Sequence, residues 1–274
     1  MHSRLSDGYY SPTELIKMAK AGGLELVSLT DHDSVSGIKD ARQTARNQGC
    51  KFISGIELEA FIDHRGESYS IHILGYGINE TNEELLTILK KIHIARSQRA
   101  RKMVSKLNSL GIEIDLQEVL KFSHGDSVSR VHVAQALKEK GIVDHIDKAF
   151  YKYIGNNRPA YVPKKTHNPS QIIKLIHASG GIAVWAHPYY CDNDSLIQPL
   201  IAAGIDGIEC FHREFDEKTV EHYLEMASRY NLIVTGGSDF HGTLEESFEL
   251  GDWWFDFIAR SSLSEKITAI QEIL

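Results

Sequence analysis

The sequence predicts an α/β fold in which strands and helices alternate in a barrel of the βα type, with a mostly helical stretch set into its middle. Three observations lead there. Short apolar runs alternate with helix-period patterns up to about residue 80 and again after about residue 168, which is the rhythm of parallel βα units. Between about residues 82 and 166 the pattern is helical, and no strand is expected until Gly181. No G-x-G-x-x-G follows the first strand, so a barrel is favoured over a dinucleotide-binding open sheet.

The elements follow in order. Ser11-Pro12 with Glu14 marks a helix start, and Gly22-Gly23 ends that helix after about Ala21. Leu24 to Thr30 (LELVSLT) reads as a buried strand, Ser36 to Gln48 as a helix stopped at Gly49, and Lys51 to Glu57 as a strand. Ser68 to Tyr76 contains another strand. From about Thr81 to Leu110 apolar residues recur at helical spacing (Leu85, Leu89, Ile92, Met103, Leu107). Helical stretches follow at Leu116 to Phe122 and Val131 to Lys140, and Asn156 to Pro163 reads as the returning loop. The βα rhythm then resumes: helix Pro169 to Ser179, strand Gly181 to Ala186, helix Leu196 to Ala203, strand Ile205 to Cys210, helix Asp216 to Tyr230, strand Leu232 to Gly236 and a closing helix Ser264 to Leu274. That is six or seven strands, mostly followed by helices.

Composition limits the function classes. The chain has 274 residues, enough for one large domain or a domain carrying an insert. The formal net charge of −7 gives no broad electrostatic footprint for duplex nucleic acid, but a local cation cluster can still hold a small phosphorylated ligand. Cys50, Cys191 and Cys210 are scattered and odd in number, and no signal peptide or membrane-spanning apolar run is present. A cytoplasmic protein is the expectation. The 14 histidines matter because imidazole is the commonest metal ligand.

Their placement is the strongest signal. In βα barrels catalytic groups sit at the C-terminal ends of strands. Strand 24–30 ends in Asp31-His32-Asp33, strand 51–56 in Glu57, strand 181–186 in His187-Pro188, and strand 232–236 in the run Gly236 to His241 that contains Asp239. His72 lies on strand 69–75, and His2 and Asp7 precede the first helix. Glu209 and His212 fit the same geography less sharply. One such residue is most often a cap or a loop residue, but five strand ends carrying His, Asp or Glu are not produced by capping alone. Mixed imidazole and carboxylate donors suit Zn, Mn or Fe rather than an all-oxygen Ca or Mg cage.

These motifs resemble those of the polymerase and histidinol phosphatase (PHP) family of metal-dependent phosphoesterases. The matching segments are His2-Ser3…Ser6-Asp7-Gly8, Leu29-Thr-Asp-His-Asp33 with Gly37, Gly55-Ile-Glu57, His72-Ile-Leu-Gly-Tyr76, Gly180-Gly…Ala186-His-Pro188 and Thr235-Gly-Gly-Ser-Asp-Phe-His-Gly242. They span nearly the whole chain and look like the stand-alone bacterial branch acting on nucleoside 3′,5′-bisphosphates and short RNA 5′ ends. The resemblance implies a distorted (β/α)7 barrel made of residues 1–81 and 167–274, with 82–166 as a helical insert capping the substrate. It implies up to three metal ions, Mn²⁺ first, then Zn²⁺ or Fe²⁺: one on His2, Glu57 and Asp239, one on Asp7, His32 and His241, and one on Glu57, His72 and His187. Asp33 is expected to orient a ligand from behind. The family opens with H-x-H after an apolar strand, whereas Met1 stands here at the x position. The first strand is therefore expected to be truncated and the first metal to be held less tightly. A start a few residues upstream and a site one ligand short both remain open, and the eight intact ligands favour the former.

On the substrate side, Ser129-Arg130-Val131-His132 opens a helix, and Arg158 lies in the returning loop with Lys164 and Lys165 after it. Helix starts and guanidinium forks both suit phosphate. By resemblance, Arg130 and Arg158, then Ser129 and His132, are the candidates to hold it. His64, His93, His124, His145, His167, His177 and His222 are expected at the surface, and Tyr161, Tyr189, Tyr190, Trp253 and Trp254 in packing roles. The expected partner is a small phosphorylated nucleotide or a short single-stranded oligonucleotide, with no membrane and no extended duplex. A histidinol-phosphate or sugar-phosphate phosphatase and a catalytically weak metal-binding module are the alternatives.

Overall fold

The computed structural model describes residues 1–125, 127–163 and 167–242. The first helix, α1 (Pro12–Ala21), begins as the sequence dictates: the Ser11 hydroxyl accepts from the Glu14 N–H, and the Glu14 carboxylate accepts from the Ser11 N–H. It buries Leu15, Ile16 and Ala19 beside β1 (Leu26–Leu29). Next, α2 (Ile38–Gln48) stops at Gly49, which takes φ 63°, a left-handed cap that glycine adopts without a Cβ penalty.

The next two strands differ from expectation. β2 (Lys51–His64) runs on well past Glu57, and β3 (Glu67–Tyr76) folds back on it antiparallel through Arg65-Gly66, both at positive φ. The physical reason is an alternation that continues beyond Glu57: Ile56, Leu58, Ala60 and Ile62 all turn into the core. The two residues between the strands are too few for a parallel crossover, which needs a dozen or more. Glu57 and His72 therefore sit in mid-strand, not at strand ends.

The remaining framework is closer to the reading. After four helices between residues 83 and 149 it comprises α7 (Pro169–Ala178), β4 (Ile182–Trp185), α8 (Ile197–Ala203), β5 (Gly207–His212), α9 (Glu217–Tyr230) and β6 (Ile233–Gly237). Among the described residues these six strands form one curled sheet in chain order. β1–β2, β4–β5 and β5–β6 pair in parallel, and β3 is antiparallel to both neighbours. The amino terminus links the two ends of this curl: the Thr30 N–H donates to Met1 O at 3.1 Å, and the His2 N–H donates to Phe240 O at 2.8 Å. The expected closing helix 264–274, Lys164, Lys165, Trp253 and Trp254 lie outside the described residues.

The two largest apolar clusters among the described residues share one helix. One gathers Ile56, Leu58, Ile73, Trp185 and Phe211 beneath the sheet with Leu85, Leu89 and Ile92 of α3 (Glu83–Ser109). The other gathers Met103 and Leu107, from the second half of α3, with Val133, Leu137 and Ile154. At 1.5 Å per residue the 27 residues of α3 span about 40 Å, so one helix serves both clusters. Its start is capped by Asn82, whose side chain accepts from the Leu85 N–H. The second cluster is completed by α4 (Leu116–Leu120), α5 (Arg130–Glu139) and α6 (Ile146–Ala149), the last running into one π-helical turn, Phe150–Ile154. The sequence pattern assigns no element to residues 146–154, so this last pair is an addition to the expected helices. No helix among the described residues is long and apolar enough to cross a membrane.

Candidate metal centre

All eight predicted ligands meet at one place. The parallel β1–β2 ladder is extended past β1 by an isolated bridge between His32 and Glu57. The Asp33 N–H donates to Glu57 O, and the Glu57 N–H donates to Asp31 O, so the two side chains stand side by side. Glu57 is the hub. Its Oε1 lies 2.5 Å from His72 Nδ1, 3.1 Å from His187 Nε2 and 3.9 Å from His32 Nδ1, and its Oε2 lies 3.0 Å from His2 Nε2. His2 Nε2 is also 2.9 Å from Asp239 Oδ1, and His241 Nε2 is 3.5 Å from Asp7 Oδ1. The rings of His32 and His241 lie against His2 with centroids 4.4 and 4.3 Å away.

The local backbone explains the convergence. His2 and Asp7 sit on a tight N-terminal turn anchored from below by buried Asp31, which accepts from the Ser3 N–H at 2.6 Å and from the Ser3 and Ser6 hydroxyls at 2.7 Å. Burial pushes the Asp31 carboxyl up, and the serine hydrogen bonds oppose it. Gly8 closes the turn: a Cβ there would lie 2.0 Å from His2 O. Asp33, His187 and Asp239 occupy positive φ (52°, 29° and 48°). Such backbones cost about 1–2 kcal/mol per non-glycine residue and persist where surroundings enforce them. His187 is held by buried Glu209, whose Oε2 accepts the His187 N–H at 2.8 Å. Burial raises Glu209 to about 7, with repulsion from Glu57 and Asp239 adding to the rise and His187 opposing it.

Three sets of donor atoms could each hold an ion, with the atoms of a set within 4.8 Å of one another: His2, Asp7, His32 and His241; His32, Glu57 and His72; and His2, Glu57 and Asp239. The last set is the predicted first triad, and the first set contains the predicted second triad plus His2. In the predicted third, His72 converges on Glu57 with His32, while His187 joins through Glu57 Oε1. Five imidazole nitrogens converge on the three carboxylates: Nε2 of His2, His187 and His241 and Nδ1 of His32 and His72. The donors are imidazoles and carboxylates, the set that Mn, Zn and Fe accept. The residues present therefore fit divalent ions. Without an ion, protons balance the carboxylates. Burial disfavours charge on His241 and His187, but Asp239 and Asp7 pull the first up to about 10, and Glu57 pulls the second up to about 9. His32 goes the other way, pushed down to about 4 chiefly by burial. Burial likewise opposes ionisation of Asp7, Glu57 and Asp239, but the neighbouring imidazoles hold all three carboxyls low.

Asp33 sits behind His32. Its Oδ2 lies 2.5 Å from Nε and from Nη2 of Arg96, with both side chains buried, and its carbonyl oxygen is 2.7 Å from His93 Nε2. His93 is thus a half-buried tether and not the expected surface residue. The predicted phosphate groups separate into two kinds. Ser129 and His132 form a capping box for α5: the Ser129 hydroxyl accepts from the Val131 N–H, and His132 Nδ1 accepts from the Ser129 N–H. Arg130 donates to Asn156 Oδ1 at 3.1 Å and faces the rings of Phe150 and Tyr161 at 5.5 and 6.0 Å. Arg158 is exposed and lies 4.7 Å over the ring of exposed Tyr151. Sequence reasoning missed Arg99, one turn along α3 from Arg96. It lies 5.8 Å from the Tyr161 ring and donates to Val162 O. Burial and then repulsion from Arg130 lower it to about 10, so two guanidiniums share one locale. The available signal was the i, i+3 spacing of Arg96 and Arg99 on a predicted helix.

A buried cluster of imidazoles and carboxylates at one end of a curled α/β sheet is the kind of site found in metal-dependent hydrolases. The comparisons make this specific. The PHP domain model matches residues 1–212, and the chain belongs to the PHP domain family; it is a hydrolase. It is 33% identical over 256 residues to a 3′,5′-nucleoside bisphosphate phosphatase from Chromobacterium violaceum, covering 91% of this chain and 88% of that one. It is 33% identical over 245 residues to a 5′-3′ exoribonuclease from Haemophilus influenzae, covering 88% of each. Among solved structures, an amidohydrolase from Chromobacterium violaceum with bound sulfate and no metal superposes with a TM-score of 0.82 at 33% identity, covering 89% of this chain and 87% of that one. A protein from Bifidobacterium adolescentis carrying the name metal-dependent phosphoesterase gives 0.80 at 28%, covering 95% and 94%.

Proposed function

We propose that the protein hydrolyses phosphate esters of small nucleotides, nucleoside 3′,5′-bisphosphates above all, or the 5′ ends of short single-stranded oligonucleotides. The observation that carries this reading is the single cluster of eight donors around Glu57, in a chain whose relatives bear the names bisphosphate phosphatase and exoribonuclease. In this reading His2, Asp7, His32, Glu57, His72, His187, Asp239 and His241 hold divalent cations, Mn²⁺ before Zn²⁺ or Fe²⁺, in up to three positions. When bound, such ions neutralise phosphate oxygens and make water a better nucleophile near neutral pH. Arg130, with Arg99 opposite it, grips a non-bridging phosphate oxygen pair, and Arg158 adds charge from the neighbouring loop. Ser129 and His132 fix the start of α5, so that Arg130 is aimed by a capped helix. Asp33 keeps α3 and its guanidinium against the centre. The stretch 82–166 acts as a helical cap on a barrel of the (β/α)7 kind.

The test is phosphate release from a panel of nucleoside 3′,5′-bisphosphates, 5′-phosphorylated oligonucleotides and histidinol phosphate, with Mn²⁺ added. Release from the first two at rates well above the third is expected. Release from histidinol phosphate alone would replace the reading with a sugar-phosphate or amino-alcohol phosphatase, and no release from any would leave a metal-binding module.

A further inference from the structure

The turn that carries His2 and Asp7 is gripped from two sides. None of residues 2–8 belongs to a helix or strand, so side chains must hold it in place. Asp31 grips it from the barrel side through Ser3 and Ser6. The other grip comes from the stretch 82–166. His132, at the third position of α5, is buried and uses both ring nitrogens. Its Nδ1 accepts from the Ser129 N–H at 3.1 Å. Burial keeps the ring neutral, so its one proton sits on Nε2, which donates to the backbone carbonyl of Ser6. Every polar group of Ser6 is thereby engaged. Its N–H donates to Ser3 O at 3.0 Å, its hydroxyl donates to Asp31 Oδ1 at 2.7 Å, and its carbonyl accepts from His132. Gly125 makes a second contact with the same turn. A Cβ there would lie 2.1 Å from Leu5 O and 2.8 Å from Leu5 C, so the two backbones meet with no room for a side chain.

These contacts join two parts with separate jobs. Asp7 follows Ser6 directly, and Arg130 stands two residues before His132 on the first turn of α5. Capping alone does not call for an imidazole, because Glu or Gln at the third helical position closes the same box. A group that reaches both Ser129 and Ser6 must accept at one atom and donate at another, which His and Gln can do and Glu and Leu cannot. We propose that His132 is a positioning residue that locks the ion-binding turn to the helix carrying Arg130, so that ions on His2 and Asp7 and the docked position of α5 stabilise each other. Such coupling is reciprocal: whatever orders the turn favours the docked helix, and a docked helix raises affinity for the ions. The inference deepens the functional reading above, on which it rests, by tying the ion site and the phosphate grip into one unit.

The experiment reads ion binding and helix docking apart from turnover. Wild-type chain, His132→Leu, His132→Gln and Gly125→Ala are made metal-free and titrated with Mn²⁺ by calorimetry, and amide hydrogen exchange is followed with and without Mn²⁺. In wild type, Mn²⁺ should slow exchange in α5 as well as in residues 2–8. His132→Leu should bind Mn²⁺ about fivefold to a hundredfold more weakly, the range for a buried carbonyl that loses its donor. It should also lose the Mn²⁺-induced protection of α5, while protection of α3 around Arg96 stays. His132→Gln should restore both. Gly125→Ala should act like His132→Leu although its capping box is intact, which separates the link to the turn from helix capping. If His132→Leu has no cooperative thermal transition, Gly125→Ala decides alone. Wild-type Mn²⁺ affinity in Gly125→Ala and His132→Leu overturns the inference, as does exchange of wild-type α5 that ignores Mn²⁺, or a His132→Gln as weak as His132→Leu. If the coupling holds but no phosphate ester is hydrolysed, the hydrolytic reading fails and the lock stands. If esters are hydrolysed and both disrupting variants match wild type in Mn²⁺ affinity and exchange, the lock fails and the hydrolytic reading stands.

Discussion

Replacing Asp33 by Asn tests whether α3 is fastened to the centre by one buried ion pair. The Asp33 side chain is 1% exposed and that of Arg96 is 8% exposed, and two guanidinium nitrogens lie 2.5 Å from the same carboxylate oxygen. Removing one member of a buried pair strands the other charge at a cost of about 3–5 kcal/mol. Glu59 and Asp7 also attract Arg96, so the lower end, about 3 kcal/mol, applies. Asparagine keeps the side-chain shape and tolerates the left-handed backbone at φ 52°, which isolates the charge. At about 2–4 °C per kcal/mol for a domain of this size, the midpoint of thermal unfolding of metal-free protein should fall by about 6–12 °C. Arg96→Met should cost a similar amount by stranding Asp33. The double variant should recover most of the loss, because replacing both members of a buried pair is close to neutral. A fall of less than about 2 °C for Asp33→Asn, or a double variant whose fall adds the two single ones, would refute the pair as the fastening.

Three further outcomes follow from the geometry. Arg130→Ala should raise KM by about tenfold to a hundredfold, the loss of a charge-assisted hydrogen bond worth about 1.5–3 kcal/mol, with metal content by mass spectrometry unchanged; wild-type KM removes Arg130 from the site. His187 and His241 hold protons up to about 9 and about 10 in the metal-free fold. Their stabilisation is therefore full below about pH 6.5 and lost as pH rises through those values. Mn²⁺ must displace those protons, so its apparent affinity should rise from about pH 6.5 to about 9, with proton release seen by calorimetry in buffers of different ionisation enthalpy; absence of release near neutral pH contradicts the assignment. Gly8→Ala would push a Cβ to 2.0 Å from His2 O and displace the turn that carries His2 and Asp7. Metal retained after dialysis should drop about tenfold or more, and full retention would show that the turn can open without moving its ligands.

The residues that converge on Glu57 are legible in the sequence because strand-end polar residues stand out against apolar runs: His32, His187 and Asp239 follow β1, β4 and β6 closely. Glu57 was found for a partly wrong reason. The apolar run before it reads as a short strand ending there, but Glu57 lies mid-way along a hairpin whose register pairs it with Leu74 and leaves His72 opposite Glu59. Alternating apolar residues beyond Glu57 carried that information, yet a strand expected to feed a helix ends early in the reading. Arg96 and Arg99 carry only a weak sequence signal, their i, i+3 spacing, for another reason. Arginines on a long helix look like a solvated face, and only the packing of α3 across both apolar clusters turns them inward.

The same limit applies within the run Asp31-His32-Asp33, where the sequence offers three adjacent metal-competent side chains and no way to rank them. The structure ranks them by what each one meets. His32 faces Glu57, His2 and His72. Asp31 spends its carboxylate on Ser3 and Ser6 and so carries the turn with His2 and Asp7. Asp33 spends its carboxylate on Arg96 and so carries α3. Glu209 does the corresponding work for His187 through the backbone N–H. Carboxylates that accept from N–H, hydroxyl or guanidinium groups have little lone-pair capacity left for an ion, whereas Asp7, Glu57 and Asp239 meet imidazoles, which yield their protons when an ion arrives. In a cluster this dense, the donors a carboxylate faces separate anchors from candidate ligands better than its position at a strand end.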